Sequence, residues 1–171
     1  GIRILKGIEA DILADGELDY DETVLSRLDF VIGSIHSRFG LSRDEMTARL
    51  LAAMDNPWLT ILGHPTGRLL LTRDPYPLDL QAVFEKAARC GVAIEINGDP
   101  RRLDLDWRLL RQARDGGVMI SIGADAHNIP GLRHVDYGVA MARKGWLTRE
   151  DLLNTRSLEQ FLAFANARRS A

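Results

Sequence analysis

The sequence lacks a cysteine network, a long apolar run and a leader-like start, and each absence excludes a class of protein. Its single cysteine, Cys90, excludes an internal disulfide framework and is most simply a small buried apolar residue. No stretch approaches the roughly twenty consecutive apolar residues of a membrane-spanning helix. None has the basic, apolar and small-residue order of a signal peptide. We therefore expect a soluble, cytoplasmic protein without a membrane partner.

The sequence also lacks a large excess of either charge, because 22 Lys and Arg residues stand against 24 Asp and Glu residues, for a formal net charge of −2. A dedicated nucleic-acid binder usually shows a basic footprint, so an interaction with DNA must be argued from other features. A length of 171 residues is typical of one domain. Because the chain starts at Gly1 and is strand-like almost at once, we expect residues 1–171 to form a single domain truncated at its N-terminus.

Short apolar segments alternate with amphipathic helical segments along the whole chain. The apolar segments are rich in β-branched residues, as in parallel strands covered on both faces, and span 4–12, 30–36, 59–65, 92–97 and 118–127. Helices are predicted over 20–29, 42–55, 78–90, 104–115, 132–144, 148–153 and 157–168. Ser42 with Glu45, and Ser157 with Gln160, have capping-box spacing, and Gly91 marks a helix end. The pattern predicts an α/β fold with parallel strands and surrounding helices.

Polar residues recur near the ends of these predicted strands at intervals of 27 to 31 residues, which is the length of one strand-helix unit. They are Glu9, His36, His64, Glu95 and Asp125. In α/β barrels and open α/β sheets, chemistry is concentrated at the carboxyl ends of the strands. We therefore expect these positions to converge on one site.

Histidines carry most of this prediction, since three of the four stand at strand ends. A lone histidine is more often a hydrogen-bonded core or surface residue than a ligand, but His36, His64 and His127 share the same kind of position. His127 follows Asp125 by two residues, so an extended chain would place both on one face. The fourth, His134, lies on a predicted helix and is interpreted as structural.

The acidic residues have competing interpretations. Glu9 and Asp11 share a strand face, and both could simply lead into the acidic loop that follows; the recurring interval favours an ion-binding role for Glu9. Glu95, with Asn97 on the same face, lies deep in its strand, so a buried, hydrogen-bonded acid is an equally weighted alternative to a role in the site.

The proposed metal ligands are therefore Glu9, His36, His64, Asp125 and His127. Imidazole and carboxylate without thiolate favour Mn, Zn or Fe over a structural cysteine site. Five donors exceed the need of one four-coordinate ion, so two or more ions are expected, an arrangement suited to phosphoester hydrolysis.

Arginines follow the same strand ends and could bind a substrate phosphate through charge-assisted hydrogen bonds. The candidates are Arg38, Arg68 and Arg101 with its neighbour Arg102. Solvated surface arginine is the alternative, with about equal weight.

Several stretches together resemble the PHP (polymerase and histidinol phosphatase) domain, most closely the C-terminal PHP domain of bacterial and archaeal family X DNA polymerases. They are EADI, VIGSIHSRF, ILGHPTGR, EINGDPRRLDL and GADAH, which begin near Glu9, His36, His64, Glu95 and Asp125 and are followed by DYGVAMARKGWLTREDLLNT. The resemblance implies part of a distorted TIM-like (β/α)7 barrel with a site for two to three Mn, Zn or Fe ions. It also implies that Glu9 bridges ions, and that His36, His64, Asp125 and His127 are ligands, with Glu9, His36 and Asp125 catalytic. The family's first motif, His-x-His, is missing here.

The resemblance implies a metal-dependent phosphoesterase that acts on DNA ends, with 3′-5′ exonuclease or related end-processing activity in DNA repair. DNA would then be the partner, reached through the parent polymerase. Two alternatives stay open: a small-molecule phosphatase of the histidinol-phosphate type, and a non-catalytic PHP module that supports a polymerase.

Overall fold

Five parallel strands form one sheet in the computed structural model, which describes residues 1–169. The strands are β1 (Gly7–Asp11), β2 (Phe30–Ser34), β3 (Ile61–Leu62), β4 (Ala93–Asn97) and β5 (Ile120–Gly123). They lie side by side in chain order, and every neighbouring pair is parallel. Sequential parallel strands linked by helices are the pattern of a TIM-like barrel. The predicted α/β class and partial barrel are confirmed.

Helices connect the strands and cover the sheet. They are α1 (Glu22–Leu25), α2 (Arg43–Ala53), α3 (Leu80–Cys90), α4 (Trp107–Asp115), α5 (Val135–Lys144) and α6 (Leu158–Asn166), with short 3-10 segments at Pro130–His134, Arg149–Asp151 and Leu153–Thr155. Both predicted capping boxes are present, at Ser42 and Ser157. Gly91 ends α3 with a φ of 69°, a left-handed conformation that glycine adopts without steric cost. None of the helices within residues 1–169 is long and apolar enough to cross a membrane.

The core lies between the sheet and its helices. All five residues of β4 are buried, and Ile94 and Ile96 belong to the same apolar cluster as Leu50 of α2 and Phe84 of α3. The outer edge of β5 is closed locally by a side chain: the Asn154 amide accepts a hydrogen bond from the Ile122 N–H at 2.7 Å and donates one to its carbonyl at 3.0 Å. The packing of the helices on the sheet and the Asn154 hydrogen bonds together fix the positions of the strand ends relative to one another.

Several predicted elements extend too far, and the third strand, predicted over 59–65, is observed only at Ile61–Leu62. The first strand begins at Gly7, not at residue 4, and Ile4 is exposed. The helix predicted over 20–29 is a single turn, Glu22–Leu25. The last strand ends at Gly123, because Asp125 adopts a φ of 48° in the left-handed region, which no extended strand contains. Asp125 and His127 therefore lie in a loop, and the alternation of an extended chain does not govern their directions.

Candidate metal centre

Glu9, His36 and His64 meet at the carboxyl ends of the first three strands. Glu9 lies within β1, and each histidine follows its strand by two residues. One donor atom from each side chain lies within 4.8 Å of the other two. The His64 Nε2 atom is 3.1 Å from Glu9 Oε1 and 3.2 Å from His36 Nε2, and the remaining pair, His36 Nε2 and Glu9 Oε1, is 3.6 Å apart.

This spacing fits a metal ion. Two donors that are each 2.0–2.2 Å from a tetrahedral ion lie about 3.3–3.6 Å apart, close to the three observed distances. The His64 ring is almost wholly enclosed, and its Nδ1 atom is buried without a hydrogen-bond partner among residues 1–169. Because the ring is enclosed on its other sides, only its Nε2 atom faces the cluster. The three side chains could therefore hold one divalent cation.

Asp11 orients His36. Its Oδ1 atom lies 2.5 Å from His36 Nδ1, so the other ring nitrogen, Nε2, faces Glu9 and His64. A carboxylate on the far nitrogen of a ligating histidine fixes the tautomer and raises the basicity of the ring. Asp11 is placed for this because it shares a face of β1 with Glu9, which the alternation in the sequence had indicated without assigning a role.

The backbone at His64 is held in an uncommon conformation. Its φ is 24°, and its N–H donates to Glu95 Oε2 at 2.7 Å. Gly63 precedes it in a position where a Cβ would lie 2.3 Å from Ser34 Oγ, so only glycine fits. Glu95 therefore acts from inside the sheet to aim the His64 side chain at the cluster.

A polar network continues from Glu95 toward Asp125. Asn97 Nδ2 donates to Glu95 Oε2 at 3.3 Å and to Asp125 Oδ2 at 3.1 Å. The same Asp125 oxygen accepts a hydrogen bond from Arg102 Nε at 3.1 Å. Asp125 is thus joined to the His64 backbone through two side chains, although it lies outside the three-residue cluster.

His127 is less closely connected. Its side chain is 72% exposed, and its Nδ1 lies 2.8 Å from the carbonyl oxygen of Asp125. The structure places it next to Asp125 but not beside Glu9, His36 or His64.

The predicted phosphate-binding arginines occupy different environments. Arg68 is largely buried and donates to Asp106 at 2.7 Å and to the Arg102 carbonyl at 2.9 Å, so its guanidinium is occupied in holding the loop after β4. Arg101 is exposed and paired with Asp99 at 2.7 Å. Arg38 is exposed and forms no ion pair with another of residues 1–169.

The pKa values of Glu9 and Glu95 are shifted in opposite directions. The hydrogen bond with His64 lowers the pKa of Glu9 from 4.5 to about 2, so this carboxylate is ionised and ready to bind a cation at neutral pH. Burial raises the pKa of Glu95 from 4.5 to about 7, against the opposing effect of the hydrogen bond from the His64 N–H.

Glu95 should make the protein less stable at alkaline pH. Between pH 4.5 and 7 the unfolded chain releases the Glu95 proton while the folded chain keeps it, so the contribution to stability falls as the pH rises through this window. We expect Glu95→Gln, which stays neutral, to gain on the order of 2–3 kcal/mol over the wild type between pH 4.5 and pH 8. Urea denaturation at several pH values measures this difference.

Comparing the two proteins cancels the titration of every other group, including that of Glu9, whose window lies below pH 4.5. A difference in stability that does not change with pH would show that folding leaves the pKa of Glu95 unchanged.

No protein-family model matches the chain. The chain is 46% identical to the DNA polymerase/3′-5′ exonuclease PolX of Bacillus subtilis (strain 168) over 162 residues, which are 95% of the chain and 28% of that protein. It is 33% identical over 165 residues to a "probable phosphatase" of Caldanaerobacter subterraneus subsp. tengcongensis, with 91% of the chain and 63% of that protein covered. A "probable phosphatase" of Caldicellulosiruptor saccharolyticus is 33% identical over 173 residues, with 96% and 69% covered. The chain thus spans about two thirds of these phosphatases and just over a quarter of the polymerase.

Proposed function

Because this chain belongs to the PHP family, we propose that it is a metal-dependent phosphoesterase that processes DNA ends as the nuclease domain of a family X repair polymerase. Residues 1–171 would form one PHP-type domain. The observation that carries the proposal is the meeting of Glu9, His36 and His64 at the carboxyl ends of adjacent strands, with donor distances of 3.1 to 3.6 Å. The similarity to the Bacillus subtilis polymerase over 95% of the chain supports DNA as the substrate.

The metal would be Mn, Zn or Fe, with two to three ions in the complete site. When bound, such ions supply hydroxide from water and stabilise the charge that develops on the phosphoryl oxygens. Glu9, His36 and His64 would hold one ion, and Asp125 and His127 would provide further ligands. We assign catalytic roles to Glu9, His36 and Asp125.

The protein's own groups prepare this site in four ways. The lowered pKa of Glu9 keeps its negative charge available for a cation near neutral pH. Asp11 holds the His36 ring in one orientation, and Glu95 holds the His64 backbone. Arg102 and Asn97 donate hydrogen bonds to one oxygen of Asp125, Oδ2, and Oδ1 accepts none from the residues that the structure describes. A preorganised donor set binds a cation without first paying for side-chain ordering.

The test is hydrolysis by the purified chain, prepared without a histidine tag, in the presence of Mn²⁺. We expect nucleotide release from the 3′ end of a 3′-recessed duplex. Glu9→Gln, which keeps the size of the side chain but loses its charge, should lower the rate at least about 100-fold with an unchanged circular dichroism spectrum.

The second and third relatives are named probable phosphatases, which supports a phosphatase as the alternative. The small-molecule type predicted from the sequence would hydrolyse histidinol phosphate. Hydrolysis of histidinol phosphate without cleavage of DNA would support that alternative over the proposal. Metal binding without hydrolysis of either substrate would indicate the non-catalytic module instead.

A further inference from the structure

A short hairpin beside the metal centre exposes an apolar tip. The chain folds back on itself at Leu69 and Arg73, which form a backbone bridge, and the Leu69 N–H donates to the Arg73 carbonyl at 2.9 Å. Leu71, at the turn, has a relative exposure of 109%, the highest of the large apolar residues within 1–169, and Leu70 beside it is 39% exposed. A leucine in full contact with water is an unfavourable choice for a turn.

The backbone makes this choice more unusual. Leu71 has a φ of 62°, in the left-handed region that glycine and asparagine adopt more easily than leucine. Neither burial nor backbone conformation therefore accounts for leucine at this position. A strained and exposed apolar residue near a candidate active site is a reason to infer a ligand contact.

The hairpin is anchored to the site on both sides. Residues 65–68 connect the hairpin to His64, and the Gly67 N–H donates to the His64 carbonyl at 2.9 Å. The Leu70 N–H donates to the carbonyl of Arg101 at 2.6 Å, and the next residue, Arg102, contacts Asp125. The hairpin is thus held by hydrogen bonds to His64 and to the neighbour of Arg102, the residue that contacts Asp125.

The surroundings of the tip are cationic. The Arg73 guanidinium stacks on Phe39 at 3.8 Å from the ring centroid and donates Nε to the Gly67 carbonyl, which leaves its two terminal nitrogens without an acceptor among residues 1–169. Arg38, adjacent to Phe39, forms no ion pair with the described residues. The hairpin also borders an open cavity of about 440 Å³, but the two further arginines that line it, Arg68 and Arg108, are both paired with Asp106. Arg73 and Arg38 are therefore the available cations. An apolar tip next to available guanidinium groups matches a nucleobase attached to a phosphate backbone.

We propose that the Leu69–Arg73 hairpin contacts the terminal nucleotides of a single-stranded DNA 3′ end, with Leu71 packed against a base and Arg73 and Arg38 bound to phosphates. This inference rests on the proposed function and extends it, because it specifies how the site distinguishes DNA from small phosphomonoesters. The contact with the base face is insensitive to base identity.

The test is the affinity for a fluorescent single-stranded oligonucleotide whose 3′ linkages are phosphorothioates, measured by anisotropy with EDTA in place of Mn²⁺. Leu71→Gly removes the apolar side chain and suits the positive φ, so we expect an equal or higher melting temperature. We expect binding to weaken about five- to thirtyfold, as for the loss of one apolar contact.

Trp146→Gly is the matched control. Trp146 is also exposed, at 74%, and also has a positive φ, of 63°, but it follows the end of α5 and belongs neither to the Leu69–Arg73 hairpin nor to the metal cluster. Its replacement should leave oligonucleotide affinity unchanged.

Failure of this inference is separable from failure of the proposed function, because binding is measured without turnover. Unchanged affinity in Leu71→Gly would overturn the inference and leave a protein partner as the occupant of the tip. No oligonucleotide binding by the wild type, or an equal loss in Trp146→Gly, would also overturn it. Hydrolysis that depends on Glu9 would stand in each of these cases.

Discussion

Alanine in place of His64 is expected to weaken binding of Mn²⁺ or Zn²⁺ by more than about 100-fold and to abolish phosphoester hydrolysis. The His64 Nε2 atom has the two shortest donor distances in the cluster, 3.1 Å to Glu9 and 3.2 Å to His36. Without it, only an exposed histidine and a carboxylate remain, too few ligands for a tight site. Metal content by inductively coupled plasma mass spectrometry and affinity by isothermal titration calorimetry measure the loss.

His134→Ala provides the control, since His134 lies in the 3-10 segment Pro130–His134, outside the cluster. It should retain the metal stoichiometry of the wild type. Asp125→Ala tests whether the second group of donors belongs to the same site, and we expect it to lose part of the bound metal. A His64→Ala protein that binds metal as tightly as the wild type would contradict the proposed centre.

The convergence of these side chains was predictable from the sequence because parallel strands joined by helices have their carboxyl ends at one edge. An interval of 27 to 31 residues returns the chain to that edge, whatever the details of each helix. The topology alone therefore predicts that Glu9, His36 and His64 lie close together. The confirmed α/β fold rests on the same periodicity.

The loops were less predictable, because their directions depend on contacts between residues distant in sequence. The left-handed conformation of Asp125 ends the alternation that would have directed its side chain to the same strand face as that of His127. Arg68 follows a strand end as Arg38 does, yet only Arg68 meets a carboxylate, that of Asp106, which is 38 residues away. No local pattern distinguishes these two arginines.

Arg49 is a further residue that no sequence pattern selects. It lies on α2, where an arginine normally faces solvent, but it is only 2% exposed. Its guanidinium donates to the Leu13 carbonyl at 2.7 Å, to the Ser37 carbonyl at 3.0 Å and to the Ile12 carbonyl. The Ile12 and Leu13 carbonyls follow β1, which carries Glu9, and the Ser37 carbonyl follows His36. One side chain therefore joins two segments of the site.

Methionine at position 49 should therefore lower both stability and metal affinity. The apolar stem keeps most of its packing, but three carbonyls lose a charged donor, which should cost about 3 kcal/mol of unfolding free energy. Urea denaturation measures that loss. We also expect metal affinity to fall about tenfold under conditions where the variant is fully folded. The hydrogen bonds that connect the segments next to Asp11 and His36 would be lost, and the two side chains would be held less firmly.

Arg49→Lys distinguishes a geometric role from a purely electrostatic one. Lysine keeps the positive charge, but its single ammonium group cannot reproduce the planar fork that reaches three carbonyls at once. It should recover less than half of the lost stability and little of the metal affinity. Full recovery by lysine would mean that charge at this position suffices, and that the loops after β1 and β2 are held in register by other contacts.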